Sequence, residues 1–142
     1  MTENANTDFP MPPVAPHLIV KGAAEAIDFY KAAFGAVELH RMPSEDGRLM
    51  HAAVTINGGL VMLMDDFPEY GDGKGSTPEA LGGSPVVLHL DVADVDAAWK
   101  RAVNAGATVI MELADQFWGD RYGQVRDPFG HVWSLASPAQ KT

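Results

Sequence analysis

The side chains able to do chemistry in this 142-residue chain are few, and two of them recur at a fixed interval. His17 and His89 each open a short strand-like run, HLIV and HLDV. Together with Asp65 they offer two imidazoles and a carboxylate, a ligand set suited to Zn, Ni, Mn or Fe with one position left open. A metal so held could polarise a carbonyl or stabilise an enediolate. The competing reading has no metal, and the two histidines hydrogen-bond to each other, to Asp91 or to a bound molecule. Arg126 is suited to anchor a carboxylate or phosphonate, unless an ion pair with Asp127 or another edge carboxylate consumes it. Trp118, Phe117 and Tyr122 would form an apolar lip, or pack between halves of the molecule, which suits Phe117 best. The chain has no cysteine, which removes disulfides, thiolate ligands and cysteine nucleophiles together. GDGKGS lacks the strand-to-helix setting and the Lys-Ser/Thr ending of a phosphate loop.

The composition sets the frame for these residues. A mass of 15.2 kDa and 46% hydrophobic content describe one globular domain with a real core. The net charge of −9 argues against nucleic acid as a partner. No apolar run is long enough to cross a bilayer, and the first residues read as neither basic nor apolar, so the expected location is the cytoplasm.

The elements that must position the chemistry follow from periodicity. Residues 1–13 are polar and proline-broken, and are expected to be a flexible lead-in. Residues 14–20 read as a strand, and 23–34 as a helix with Ala23, Ile27, Tyr30 and Phe34 on one stripe and Gly35 as its stop. Strands are expected at 37–42, 51–56 and 60–65, the last two joined at Asn57-Gly58, a strong hairpin signal. Residues 66–84 are rich in Gly and Pro and form a linker or a lid. The pattern then restarts with a strand at 85–92 and a helix capped by Asp94, with Val95, Trp99, Ala102 and Val103 on its apolar face and Gly106 as its stop. A strand at 108–113 precedes two more, folded about Asp127-Pro128-Phe129-Gly130.

The halves 14–65 and 85–137 therefore repeat as two βαβββ units of an α+β fold, with His17 opposite His89. Their mixed sheets would be cup-shaped and enclose a cavity, within one chain or between two. Period-two alternation assigns the faces. His17, Ala15 and Ile19 point into the cup, as do His51, Ala53 and Thr55. In the strand 60–65 the inward set is Val61, Leu63 and Asp65, with Met62 and Met64 in the core. In the second unit Val87, His89 and Asp91 point inward, joined by Tyr122, Gln124 and Arg126 and by Val132, Ser134 and Ala136.

The motifs AIDFYKAAFGAVE, HLDVADVDAAW, NAGATV and DQFWGDRYGQVRDPFGHVWSLAS resemble those of the vicinal oxygen chelate superfamily. That superfamily includes glyoxalase I, the bleomycin- and fosfomycin-resistance proteins and the extradiol dioxygenases, and the last motif resembles its PhnB-like branch. The resemblance implies a single such domain over 14–137 and a homodimer. In metal-dependent members four residues hold the ion, and the matching positions here are Ala15, Leu63, Val87 and Ser134. None is a good ligand for a divalent ion, so the familiar metal site is absent. The candidate set His17, Asp65 and His89 lies two residues along from three of those positions. The functions this leaves are binding of a small polar or anionic molecule in the cup, a metal-dependent lyase, isomerase or dioxygenase, or a partner-binding module. Neither nucleic acid nor membrane is an expected partner.

Overall fold

The computed structural model describes residues 10–140, so most of the lead-in expected to be flexible lies outside the described residues. Residues 10–16 form neither helix nor strand. The first unit runs β1 (His17–Val20), α1 (Ala23–Phe34), β2 (Val37–Pro43), β3 (Leu49–Ile56) and β4 (Gly59–Asp65). The connection expected as a linker or lid holds a 3-10 turn at Pro68–Tyr70 and a one-turn helix α2 (Pro78–Leu81). The second unit follows with β5 (Val87–Asp91), α3 (Val95–Ala105), β6 (Thr108–Asp115), β7 (Asp120–Arg126) and β8 (Val132–Pro138). Each unit makes a four-stranded mixed sheet, in the orders β1-β4-β3-β2 and β5-β8-β7-β6. The two βαβββ units are thus present, with β1 starting three residues later than Val14.

Local chemistry explains the boundaries. Asp94 accepts a hydrogen bond from the Ala97 amide at 3.1 Å and caps α3. Gly35 ends α1 in the left-handed conformation that a glycine adopts without a Cβ penalty. Asn57 and Gly58 both have positive φ, which gives the β3–β4 hairpin the turn whose twist matches its strands.

Helices α1 and α3 pack on the backs of the sheets and on each other, and one contiguous core results. Leu18, Val20, Val54, Ile56 and Leu63 enter it from the first sheet, and Leu90, Val125, Trp133 and Leu135 from the second. Burying a side chain of this size contributes about 1.5–3 kcal/mol. Gly123 is required where β7 runs beneath α3. A Cβ there would lie 2.6 Å from Trp99 Cζ3 and 2.9 Å from Leu113 Cα.

The halves are also tied by polar contacts. Asp127, in the turn between β7 and β8, is 3% exposed and accepts four hydrogen bonds. Its Oδ1 takes the amides of Phe129 and His131, and its Oδ2 takes Tyr30 Oη at 2.6 Å and Trp133 Nε1 at 2.9 Å. Burial, and then the Asp127 charge, push the Tyr30 phenol well above its ordinary pKa. Arg101 of α3 donates to the Ala32 and Lys31 carbonyls at the end of α1.

One strand has the opposite facing from that expected. β4 pairs in parallel with β1, His17 opposite Met62 and Ile19 opposite Met64. Met62 and Met64 are therefore the cup residues, while Val61, Leu63 and Asp65 point to the helices and are buried. The run LVMLMD is apolar at every position but its last, so alternation carried no information on which face was which. Asp65 is not a cup residue but a structural one. Its Oδ1 accepts from the amides of Gly22 and Ala23, and its Oδ2 from that of Leu49 at 2.7 Å. Gly22 has no side chain with which to cap α1, and Asp65 supplies the acceptor from across the sheet.

Candidate functional site

The concave face of the first sheet carries Ile19 from β1, Met64 from β4 and Met50 from β3. The start of β3 is bulged, since Met42 pairs with His51 and Pro43 with Leu49, and this turns Met50 outward. Beside these residues opens a cavity of about 810 Å3, in the range of small-molecule sites. The β2–β3 turn and the start of the 66–84 connection make its walls, through Glu45, Asp46, Asp66, Phe67 and Tyr70.

Arg48 holds those two walls together. Its Nε donates to Asp46 at 2.9 Å, its Nη1 to the Asp66 carbonyl at 3.1 Å and to Glu69 Oε1, and its Nη2 reaches Glu69 Oε2. Its guanidinium also lies 4.1 Å from the centre of the Phe67 ring. Hydrogen bonds from Arg48, and then from Ser44, hold the Asp46 carboxyl well below the usual carboxylate range. Arg48 was not singled out by sequence, because a charged residue after an Asp-Gly turn reads as solvated. The Gly/Pro character of 66–84 was the only available signal for this wall.

Further along the same sheet stand three histidines. The ring centres of His17 and His51 are 5.6 Å apart, and those of His40 and His51 are 4.9 Å apart. Burial, and then the nearby imidazoles of His40 and His17, lower the pKa of His51 from 6.5. An unfolded chain therefore takes up this proton first as the pH falls. The stability gained by keeping His51 neutral is present above the unfolded value and is lost as the pH falls through the folded one. We expect His51→Gln to flatten the fall of stability below about pH 6.5, by under about 1 kcal/mol because solvent reaches the ring. Urea titrations of both proteins between pH 5 and 8 measure this, and identical slopes would refute it.

The second sheet presents a different arrangement. His89 Nδ1 lies 2.7 Å from Ser134 Oγ on β8, and its Nε2 lies 3.2 Å from Asp91 Oδ1. Its ring stacks on Tyr122, whose hydroxyl accepts from Gln124 Nε2 at 3.0 Å. Trp118 stands edge-on to Tyr122 and donates to Asp120, while Phe117 beyond it is 97% exposed. Phe117 thus does not pack between the halves within the chain. It sits in the turn before β7, past the reach of either helix. Arg121 is held by Asp96 and Asp115.

The candidate residues are therefore not brought into one site. His17 and His51 lie on one sheet, and His89, Asp91, Tyr122, Gln124 and Ser134 on the other. Arg126 lies at the end of β7 in a shallow groove with Pro78, Gly82 and Gly83, away from the large cavity, and makes no ion pair with Asp127. The ligand set His17, Asp65 and His89 does not form. Asp65 faces the core with both oxygens engaged, and the two histidines belong to different sheets. Among the described residues no group of three or more His, Asp or Glu side chains is arranged to hold a metal. Of the four positions matched to the metal-dependent pattern, Leu63 is buried on the helix side and Ser134 is bonded to His89. Ala15 and Val87 offer no donor. No helix among the described residues is long and apolar enough to cross a membrane.

Comparison with known proteins matches this architecture. The model of the Glyoxalase/Bleomycin resistance protein/Dioxygenase superfamily matches residues 12–135. Protein Mb0911c of Mycobacterium bovis is 60% identical over 130 residues, which cover 92% of this chain and 86% of that protein. The crystal structure of TioX from Micromonospora sp. ML1 aligns with a TM-score of 0.67 at 27% identity, covering 92% of this chain and 99% of TioX. The Arabidopsis thaliana gene product At5g48480 aligns with a TM-score of 0.69 at 30% identity, covering 89% of this chain and 99% of that one.

Proposed function

The chain belongs to the Glyoxalase/Bleomycin resistance protein/Dioxygenase superfamily, and on that premise we propose that it binds a small molecule in the cup of its first unit. The observation that supports this reading is the cavity of about 810 Å3. Its floor is sheet, and one wall is the start of the 66–84 connection. A metal-assisted reaction is not part of the proposal, since the donors that would be needed are apolar, absent or already engaged.

The reading includes a second copy of the chain. Each concave face turns away from the shared helices. Met50 is 47% exposed, Val87 42% and Trp118 49%, on surfaces that another copy would cover. Sedimentation at micromolar concentration is expected to give about twice 15.2 kDa, and a monomer mass would remove this part of the proposal.

Compounds from an aromatic and heteroaromatic panel that raise the melting temperature are expected to slow amide exchange between Gly71 and Ser76. They should lose their effect in Met64→Trp, where the larger indole takes the floor on which their rings would lie. Stabilisation that persists in that variant, with unchanged exchange in the Gly71–Ser76 segment, would place the binding elsewhere.

A further inference from the structure

The charges around the first-unit cavity are unequal. Glu45, Asp46 and Asp66 line it, and Arg48 is its one cation. That guanidinium is engaged by Asp46, Glu69 and the Asp66 carbonyl, with its face against Phe67, so it is not available to receive an anion. Glu45, by contrast, makes no ion pair or hydrogen bond through its side chain among the described residues. The floor beneath is apolar and soft. Met64 and Met50 are thioethers that adapt to the face of a ring, and Ile19 lies beside them. Tyr70 is 84% exposed at the mouth, its ring centre 6.0 Å from that of Phe67, and offers a further π surface.

We infer that this cavity selects a flat aromatic cation, its rings on Ile19, Met50 and Met64 and its positive charge toward Glu45 and Asp66. The inference rests on the small-molecule reading of the same cavity and replaces the expectation of a polar or anionic ligand. Desolvating an organic ammonium costs less than desolvating a metal ion, and a π face with nearby carboxylates offsets that cost. An anion entering the same space would meet the Glu45 and Asp66 carboxylates, with the one lining cation, Arg48, already engaged.

The test compares two aromatic fluorescent probes of opposite charge, acridine orange as the cation and 1-anilinonaphthalene-8-sulfonate as the anion. Wild-type protein is expected to bind the cation at least about ten-fold more tightly than the anion, and Met64→Trp to abolish that binding. Glu45→Gln combined with Asp66→Asn should weaken the cation about five- to ten-fold, the size expected of two partly exposed charges. A control of equal charge change away from the cavity, Asp28→Asn with Glu112→Gln, should leave the affinity within about two-fold. Equal loss in the control, or cation binding that survives Met64→Trp, would show attraction to the acidic surface alone and overturn the inference. Anion binding blocked by Met64→Trp without cation binding would overturn it while leaving the small-molecule reading in place. Binding of neither probe would count against both.

Discussion

Replacing Asp127 by alanine is expected to lower the stability of the protein by about 3 kcal/mol or more, and its melting temperature by roughly 10 °C. The carboxylate is buried, and it satisfies two amides, a phenol and an indole from two halves of the chain. Removing it strands four donors in a place that water reaches poorly, and each stranded donor carries its own desolvation penalty. Tyr30→Phe removes only one of those donors and should cost about 1–2 kcal/mol. Urea unfolding of the two variants reads both numbers. An alanine variant within about 0.5 kcal/mol of wild type would mean that the four bonds contribute nothing net.

The second large effect is at Asp65, where alanine is expected to cost about 2–4 kcal/mol. Gly22 and Ala23 would lose the acceptor that caps α1, and Leu49 the one that starts β3. The positive end of the helix dipole would also lose its facing carboxylate. Asp65→Asn keeps one acceptor oxygen and should recover about half of the loss. Equilibrium unfolding decides this. If alanine left stability unchanged, the role assigned here to Asp65 would be wrong, and a function at the cup would have to be reconsidered.

These two aspartates also mark where the sequence was legible. The helices were, because 23–34 and 95–105 each carry an apolar stripe closed by a glycine, and Asp94 announces its helix. The hairpin at Asn57-Gly58 was legible because few residue pairs tolerate two consecutive positive φ values. The facing of β5 was readable because His89 and Asp91 alternate with Leu88 and Leu90. The facing of β4 was not, because methionine, leucine and valine are acceptable on either side, so Asp65 was placed on the wrong one. A buried carboxylate and a ligating carboxylate look the same in a sequence; only the donors around them differ. The cavity wall was legible in part, as a Gly/Pro-rich connection too long for a plain loop. Arg48 was not, since its partners Asp46, Asp66 and Glu69 converge on it only once the connection has folded back. Arg126 keeps the strand parity of Tyr122 and Gln124, but it stands on the second sheet, in a groove with Pro78, Gly82 and Gly83 and apart from the first-unit cavity.

The division of each strand between a helix-packed face and a concave face has a consequence for how such a protein can diverge. In β4 the residues that hold the fold, Val61, Leu63 and Asp65, alternate with Met62 and Met64, which lie on the concave face. Substitution at the second set alters the shape and polarity offered to a ligand while leaving the first untouched. Evolvability is in this sense written into the pleat. New binding preferences can be sampled at Met62, Met64 and Thr55 without each trial risking the stability on which all of them depend.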